Sequence, residues 1–393
     1  MRDAGERAIG GVTSGVIGLK EETRRGGERA APGVGGAGLG EFPCDFAGDK
    51  MQNTMDRMKA TVALLLALPL WAQQPLGIFE SRSDVGTVKQ AGAAGYDAAA
   101  RAYTVSASGE NMWAAADAFH YVWKRVSGDI SISADITFPS ATGDPHKKAA
   151  LVIRQSLDAD SAYADVAVHG DGLTSLQTRD AKGAATHEIQ SNVARPARVR
   201  ITKDGDNFYI FVGAVGEDLR FAGGAMRVPL TGPFYIGLAV CAHNTDALET
   251  AIFSNVEITP VAGEARHYST LETMTVSSTD RRVVYVAEEP LPNPPSWSFD
   301  GAALSFFNAG RAFEVPVGGG RVTDQGPASS SIERGLSSAS PDGRRIMTLV
   351  GNELQLNYDA SVTTLAKFPG GATAAVWSPD GRRVAFISYQ SIR

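Results

Sequence analysis

From about residue 75 to residue 260, apolar and polar positions alternate with a period of two, which places successive side chains on opposite faces of a strand. In the stretch DISISADITF, Ile130, Ile132, Ala134, Ile136 and Phe138 point one way, and Ser131, Ser133 and Asp135 point the other. The segments AALVIRQS (149–156), AYADVAVHG (162–170) and GLTSLQTRD (172–180) come next, with short polar breaks. ARVRITKDGDNFYIFVG reads as a hairpin turning at Asp204-Gly205, since a tight hairpin needs a positive φ that Gly accepts. FYIGLAVCAHN (234–244) and ETAIFSNVEI (249–258) complete the set. About ten strands without intervening helices predict an antiparallel two-sheet sandwich over 75–260.

Beyond it the pattern repeats. WSFDGAALSF, ASPDGRRIMTL and WSPDGRRVAFI share one grammar: an aromatic or small residue, Ser, Pro or Phe, an Asp-Gly turn, then an apolar alternating strand. The marker glycines Gly301, Gly343 and Gly381 lie 42 and 38 residues apart. A period near 40 with strands in every unit predicts β-propeller blades over 265–393. The motif rests on Trp297, Asp300 and Gly301; on Pro341, Asp342 and Gly343; and on Trp377, Pro379, Asp380 and Gly381. Ala339 replaces the Trp in the second copy and Phe299 the Pro in the first. Three units are fewer than a propeller normally needs, and an unclosed array leaves an edge strand with unpaired backbone groups. The expectation is therefore an incomplete propeller of about three blades in a C-terminally truncated product.

The N-terminal part has a different character. Residues 1–50 are Gly-rich and aperiodic, which predicts disorder or a mis-assigned extension. Their GVGGAG (33–38) matches a dinucleotide loop in letters only, because neither a strand before it nor a helix after it is visible. MDRMKATVALLLALPLWAQQ then supplies Arg57 and Lys59, an apolar run over 60–70, and Ala72 before Gln73. This is the layout of a signal peptide over 51–73, with translation starting at Met51, Met55 or Met58, and the run is too short to span a bilayer comfortably. The expected product is periplasmic or secreted.

Charge and composition narrow the function. The formal net charge of −6 gives no broad basic footprint, so nucleic acid is not expected as a partner. The two cysteines, Cys44 and Cys241, and the six histidines form no zinc spacing. The aromatic-rich stretch 110–129 is the candidate binding element. Phe119, Tyr121 and Trp123 share a face if extended, with Trp113 nearby; they read either as a sugar-stacking platform or as sandwich core. The loops 141–148 and 243–250 offer Asp144, Asn244 and Asp246 as oxygen ligands for calcium, but neither loop alone supplies the six to eight oxygens calcium takes. No other cofactor is expected.

The strand order, carried by GDISISADITF, KAALVIRQS, YIGLAVCAHN and AIFSNVEI, resembles the concanavalin A-like lectin/glucanase sandwich. The repeats resemble the TolB-type propeller repeat, which the third copy matches fully. The hydrolase branch of the first superfamily carries Glu-x-Asp-x-(x)-Glu on one strand; no such run exists here, and Asp135 and Asp165 stand alone. What the two resemblances imply is an exported, non-enzymatic scaffold whose sandwich recognises a glycan or envelope component and whose propeller binds a protein. The alternative is a fragment of an envelope hydrolase, peptidase or glycosidase, whose catalytic part is missing; no G-x-S-x-G element is present.

Overall fold

The computed structural model describes residues 76–327 and 339–393; the expected extension and signal peptide, with Cys44, lie outside them. The described residues contain strands and turns without a helix, so none is long and apolar enough to cross a membrane.

Two antiparallel sheets form the sandwich. One, of seven strands, runs Arg220–Arg227, Asn207–Gly213, Arg198–Asp204, Ile130–Thr137, Asn244–Pro260, Ala102–Gly109 and Ala93–Asp97. The other begins Ser81–Val85, Phe119–Val126, Phe234–Cys241, Lys148–Arg154, Tyr163–His169, Thr174–Arg179 and His187–Gln190. Their facing sides make the core: Ile132, Ala134, Val199 and Ile201 from the first, and Val122, Leu151, Ile153, Val166, Leu176 and Leu238 from the second. The alternation in DISISADITF is realised, with its apolar set packed inward. Ser131, Ser133 and Asp135 face away, yet they too are buried. Arg198 covers them, donating to Asp135 at 2.9 Å and to Ser133 at 3.1 Å. The Asp204 hairpin forms as read, with Gly205 at φ +59° and Asp204 paired with Asn207.

The second sheet does not stop where the sandwich was expected to end. His187–Gln190 pairs in parallel with Arg281–Ala287, and the sheet continues through Arg266–Thr275, Arg383–Ile392 and Val376–Trp377. The strand of the third repeat is paired on both sides, along its whole length on one and at Val384 and Ala385 on the other. Arg383–Ile392 runs against Arg266–Thr275 over its whole length, which satisfies the backbone groups an edge would leave bare. The other two repeats form separate sheets. One is Ser296–Trp297, Ala303–Asn308, Arg311–Pro316 and Thr323–Pro327; the other is Arg345–Val350, Glu353–Tyr358 and Ser361–Lys367.

The three Asp-Gly corners are the same structure. In each, the Gly N–H donates to the Ser carbonyl three residues back, and the glycines sit at φ +71°, +71° and +65°. The Ser hydroxyl donates to the Asp carboxylate (Ser298–Asp300 2.6 Å, Ser340–Asp342 2.5 Å, Ser378–Asp380 2.5 Å). That hydroxyl also accepts the N–H of Ala303, Arg345 or Arg383, five residues on. The corners contact one another through a Trp and an Arg. Arg383 lies 5.2 Å over the Trp297 ring, and the Trp297 indole donates to the Val376 carbonyl at 3.0 Å. Arg345 lies 4.6 Å over the Trp377 ring and donates to the Gly381 carbonyl at 2.9 Å. The second corner carries Ala339 in the Trp position and the first carries Ala303 in the Arg position, so those two cannot join in this way.

A Cβ at Gly381 would meet Pro341 at 3.3 Å and Arg345 at 3.2 Å, whereas one at Gly343 would meet nothing within 4 Å. Both need the left-handed backbone. Gly343→Ala is expected to cost about 1 kcal/mol, the backbone preference alone. Gly381→Ala is expected to cost about 2 kcal/mol or more, because packing adds to it. Urea denaturation of the two variants checks the order; equal losses would refute the stacked-corner account.

Candidate functional site

The outward side of the long sheet is laid out by strand register. One row runs Trp123, Gly237, Val152, Asp165, Gln177 and Glu188; the row beside it runs Tyr121, Ala239, Ala150, Ala167, Ser175 and Gln190. Small residues therefore floor the middle of the face, with Lys148 and His169 at one end and Arg154, Tyr163 and Arg179 at the other. A strand with one wet face would expose these positions. Here they are buried, because residues 110–118 fold back as a small hairpin, Met112–Trp113 against Ala116–Asp117.

Arg179 holds that hairpin. Its guanidinium donates to both Asp117 oxygens, at 2.9 and 2.7 Å, and to the carbonyls of Trp113 and Ala114. The guanidinium also lies 4.9 Å over the Tyr163 ring. Arg154, 5.1 Å over the Phe119 ring, approaches the same carboxylate at 3.4 Å. Burial pushes the Asp117 carboxyl upward against the pull of Arg179, and the bidentate pair keeps it ionised. Gly109 permits the fold-back: a Cβ there would stand 2.0 Å from the Ala118 carbonyl oxygen.

Under the hairpin several buried polar atoms have no protein partner: both oxygens of Asp165, Nδ1 of His169 and Oε1 of Gln177. Such groups are nearly always satisfied in folded proteins, by protein or by ordered water, which sets this buried cluster apart. Burial pushes Asp165 well above the usual carboxylate range, and Lys148 pulls against that. Burial pushes Lys148 down in turn. His169 is lowered to about 3 by burial, with the neighbouring Lys148 adding to it. A carboxyl driven toward its protonated form can donate as well as accept, and neutral His169 does the same through its two nitrogens. The charges are muted and the hydrogen-bonding capacity remains.

The aromatic candidates divide. Phe119 and Tyr121 share the face as expected, but they are wholly buried beneath the hairpin, so they cannot form an exposed stacking platform. Tyr121 spends its hydroxyl on the Val152 carbonyl at 3.0 Å. Trp123 stays half-buried, edge-on to Tyr235 at 5.0 Å and donating to Ser83 at 3.3 Å. Trp113 is half-buried in the hairpin. Cys241 lies in the same layer, buried, its thiol pushed up to about 11 by burial. Lys148, His169 and Gln177 were missed in the sequence. Their signal was polar side chains on strands whose other positions are apolar on both faces, a pattern that Asp165 also showed.

The calcium candidates do not converge. Asp144 accepts from the His146 N–H at 2.7 Å and faces His243 at 3.3 Å, Asn244 accepts from the Asp246 N–H at 2.8 Å, and Asp246 pairs with Lys89 at 2.9 Å. Between the two loops stands the Lys147 ammonium, bonded to Glu249 at 2.8 Å, to the Ser140 carbonyl at 3.1 Å and to that of Thr142. Among the described residues no group of three His, Cys, Asp or Glu side chains is placed to hold a metal ion.

No family model and no curated protein matches the chain. Solved structures do. A functionally unknown protein from Saccharomyces cerevisiae aligns at 13% identity over 46% of this chain and 97% of its own, with a TM-score of 0.37. The carbohydrate binding module CBM66 from Bacillus subtilis aligns at 19% identity over 46% of this chain and 96% of its own, TM-score 0.31. A botulinum neurotoxin type C structure, described as dependent on two ganglioside molecules for cell entry, aligns at 7% identity over 79% of this chain and 88% of its own, TM-score 0.28. Scores this low carry no argument about this chain.

Asp117→Ala would leave Arg179 and Arg154 buried without their carboxylate. An unfolding free-energy loss of about 3–5 kcal/mol is expected in chemical denaturation. A loss below about 1 kcal/mol would mean that the pair does not hold the hairpin.

His169 links stability to pH. The unfolded chain takes up this proton near 6.5 and the folded chain only near 3. Its contribution is full above 6.5 and falls as the pH drops through that window, by up to ~1.4 kcal/mol per pH unit. In urea titrations stepped from pH 7 to pH 4.5, wild type should therefore lose stability faster than His169→Gln. Parallel curves would contradict a buried neutral imidazole.

Proposed function

We propose that the chain is an exported, non-enzymatic binding protein whose sandwich takes a neutral glycan on the outward face of the long sheet. The supporting observation is that Trp123 and Tyr235, their rings 5.0 Å apart, stay half-buried on that side of the sheet while the floor beside them is sealed. Their rings offer apolar surface to the C–H side of a pyranose.

The sandwich is read as concanavalin A-like and the C-terminal segment as part of a TolB-type propeller. In favour of the second stand three identical Ser-Asp-Gly corners joined by Trp–Arg contacts. This segment is the protein-binding platform, and the compartment is the periplasm or the exterior. Asp117 is engaged by Arg179, which weighs against its serving as a free catalytic carboxyl.

A glycan array and then calorimetry on the chain test the reading. Binding to a neutral oligosaccharide is expected, weakened about tenfold or more in Trp123→Ala and in Tyr235→Ala with the melting temperature held. Silence across neutral glycans removes the sugar claim, and release of reducing ends removes the non-enzymatic one.

A further inference from the structure

A second cleft, of about 930 Å³, opens where the seven-stranded sheet meets the strand Arg266–Thr275. Four arginines line it: Arg198, Arg200, Arg266 and Arg393. Two are already paired. Arg198 holds Asp135 and Glu257, and Arg393 holds Asp129 and Asp204. Arg200 and Arg266 make no ion pair among the described residues.

Arg200 is the unusual one. It is half-buried, its guanidinium lies 4.1 Å over the Phe211 ring, and its Nε is buried without a hydrogen-bond acceptor. Burial lowers its affinity for the proton, and Arg266 and Arg198 add to that by repulsion. A guanidinium keeps its charge regardless. The cost of an unmet, partly desolvated cation beside a second cation is recovered when an anion arrives, and the planar fork suits a carboxylate bound through two N–H groups. Phe211 and Tyr268, their rings 6.5 Å apart, lie buried at the base of the cleft with the Phe211 ring beneath Arg200, and half-buried Leu219 adds apolar surface to the lining.

We propose that this cleft is a second ligand site, which binds the carboxylate of an acidic sugar unit of the uronate type, with Arg200 and Arg266 gripping the carboxylate and Leu219 giving the ring an apolar contact. Glu217, Asp218 and Glu264 also line the cleft and would repel a doubly charged phosphate more than a single carboxylate. The site is built from the seven-stranded sheet and from the end of the long sheet away from Trp123, and it does not depend on the neutral-glycan reading.

The test is calorimetry of the full chain with oligogalacturonate, a sulfated oligosaccharide, the neutral oligosaccharide of the same length and oligoglutamate. Oligogalacturonate is expected to bind, more weakly as salt rises. Arg200→Ala should lower its affinity at least tenfold and Arg266→Ala three- to fivefold. Arg200→Lys should recover only part, because the charge returns without the fork. Trp123→Ala should leave this binding unchanged, which separates failure of either site from failure of the other. No binding, equal binding of the neutral oligomer, equal or tighter binding of the sulfated oligomer or of oligoglutamate, or an Arg200→Ala variant that stays folded and keeps wild-type affinity would each overturn the assignment.

Discussion

Two charges removed from water hold the sandwich in its observed form. Arg179 lies under the 110–118 hairpin and Asp117 is part of it, and each is intolerable there without the other. Their bidentate contact fixes the hairpin on the outward side of the long sheet and converts a face that alternation would leave wet into an enclosed one. Enclosure changes the chemistry of the groups beneath. Asp165 is driven toward its neutral form, His169 is kept neutral, and Phe119 and Tyr121 become packing for the floor.

The same logic of buried charge recurs at the junction with the C-terminal segment. Arg281 is buried, faces Glu272 at 3.1 Å and donates to the Gly224 carbonyl at 3.0 Å. Gln390 donates to that carbonyl too, at 3.2 Å. Strands from the sandwich, from the start of the C-terminal segment and from its end therefore meet at one polar knot. Around it Phe211, Phe221, Tyr268 and Ile392 close the apolar contact. This knot, together with the parallel pairing of His187–Gln190 and Arg281–Ala287, makes one continuous sheet of what the chain's composition separates into two stretches.

Burial acts differently on different groups. Under the hairpin it presses Asp165 and His169 toward their neutral forms, while Arg179 and Asp117 stay paired. In the open cleft Arg200 keeps its charge because a guanidinium does not give up its proton at any ordinary pH.

Much of the fold was legible in the sequence, because alternation of period two is a local property. The inward set from Ile130 to Phe138, the turn at Asp204-Gly205 and the three Asp-Gly corners all depend on residues within a few positions of one another. The pairing partner of a strand is not local. Nothing near Arg383 says that it will lie against Thr275, and nothing near Ile189 says that it will meet Arg281. The candidate site was less legible still. An aromatic at every second position shows which side chains share a face but not whether a hairpin covers that face, and the cover depends on Arg179 reaching Asp117 across 62 residues. Sequence by itself determined the strands, the turns and the repeat, through short-range sterics and hydrophobic period. Tertiary structure alone decided which face is sealed and which charges survive there, because burial and long-range pairing set the dielectric each group feels.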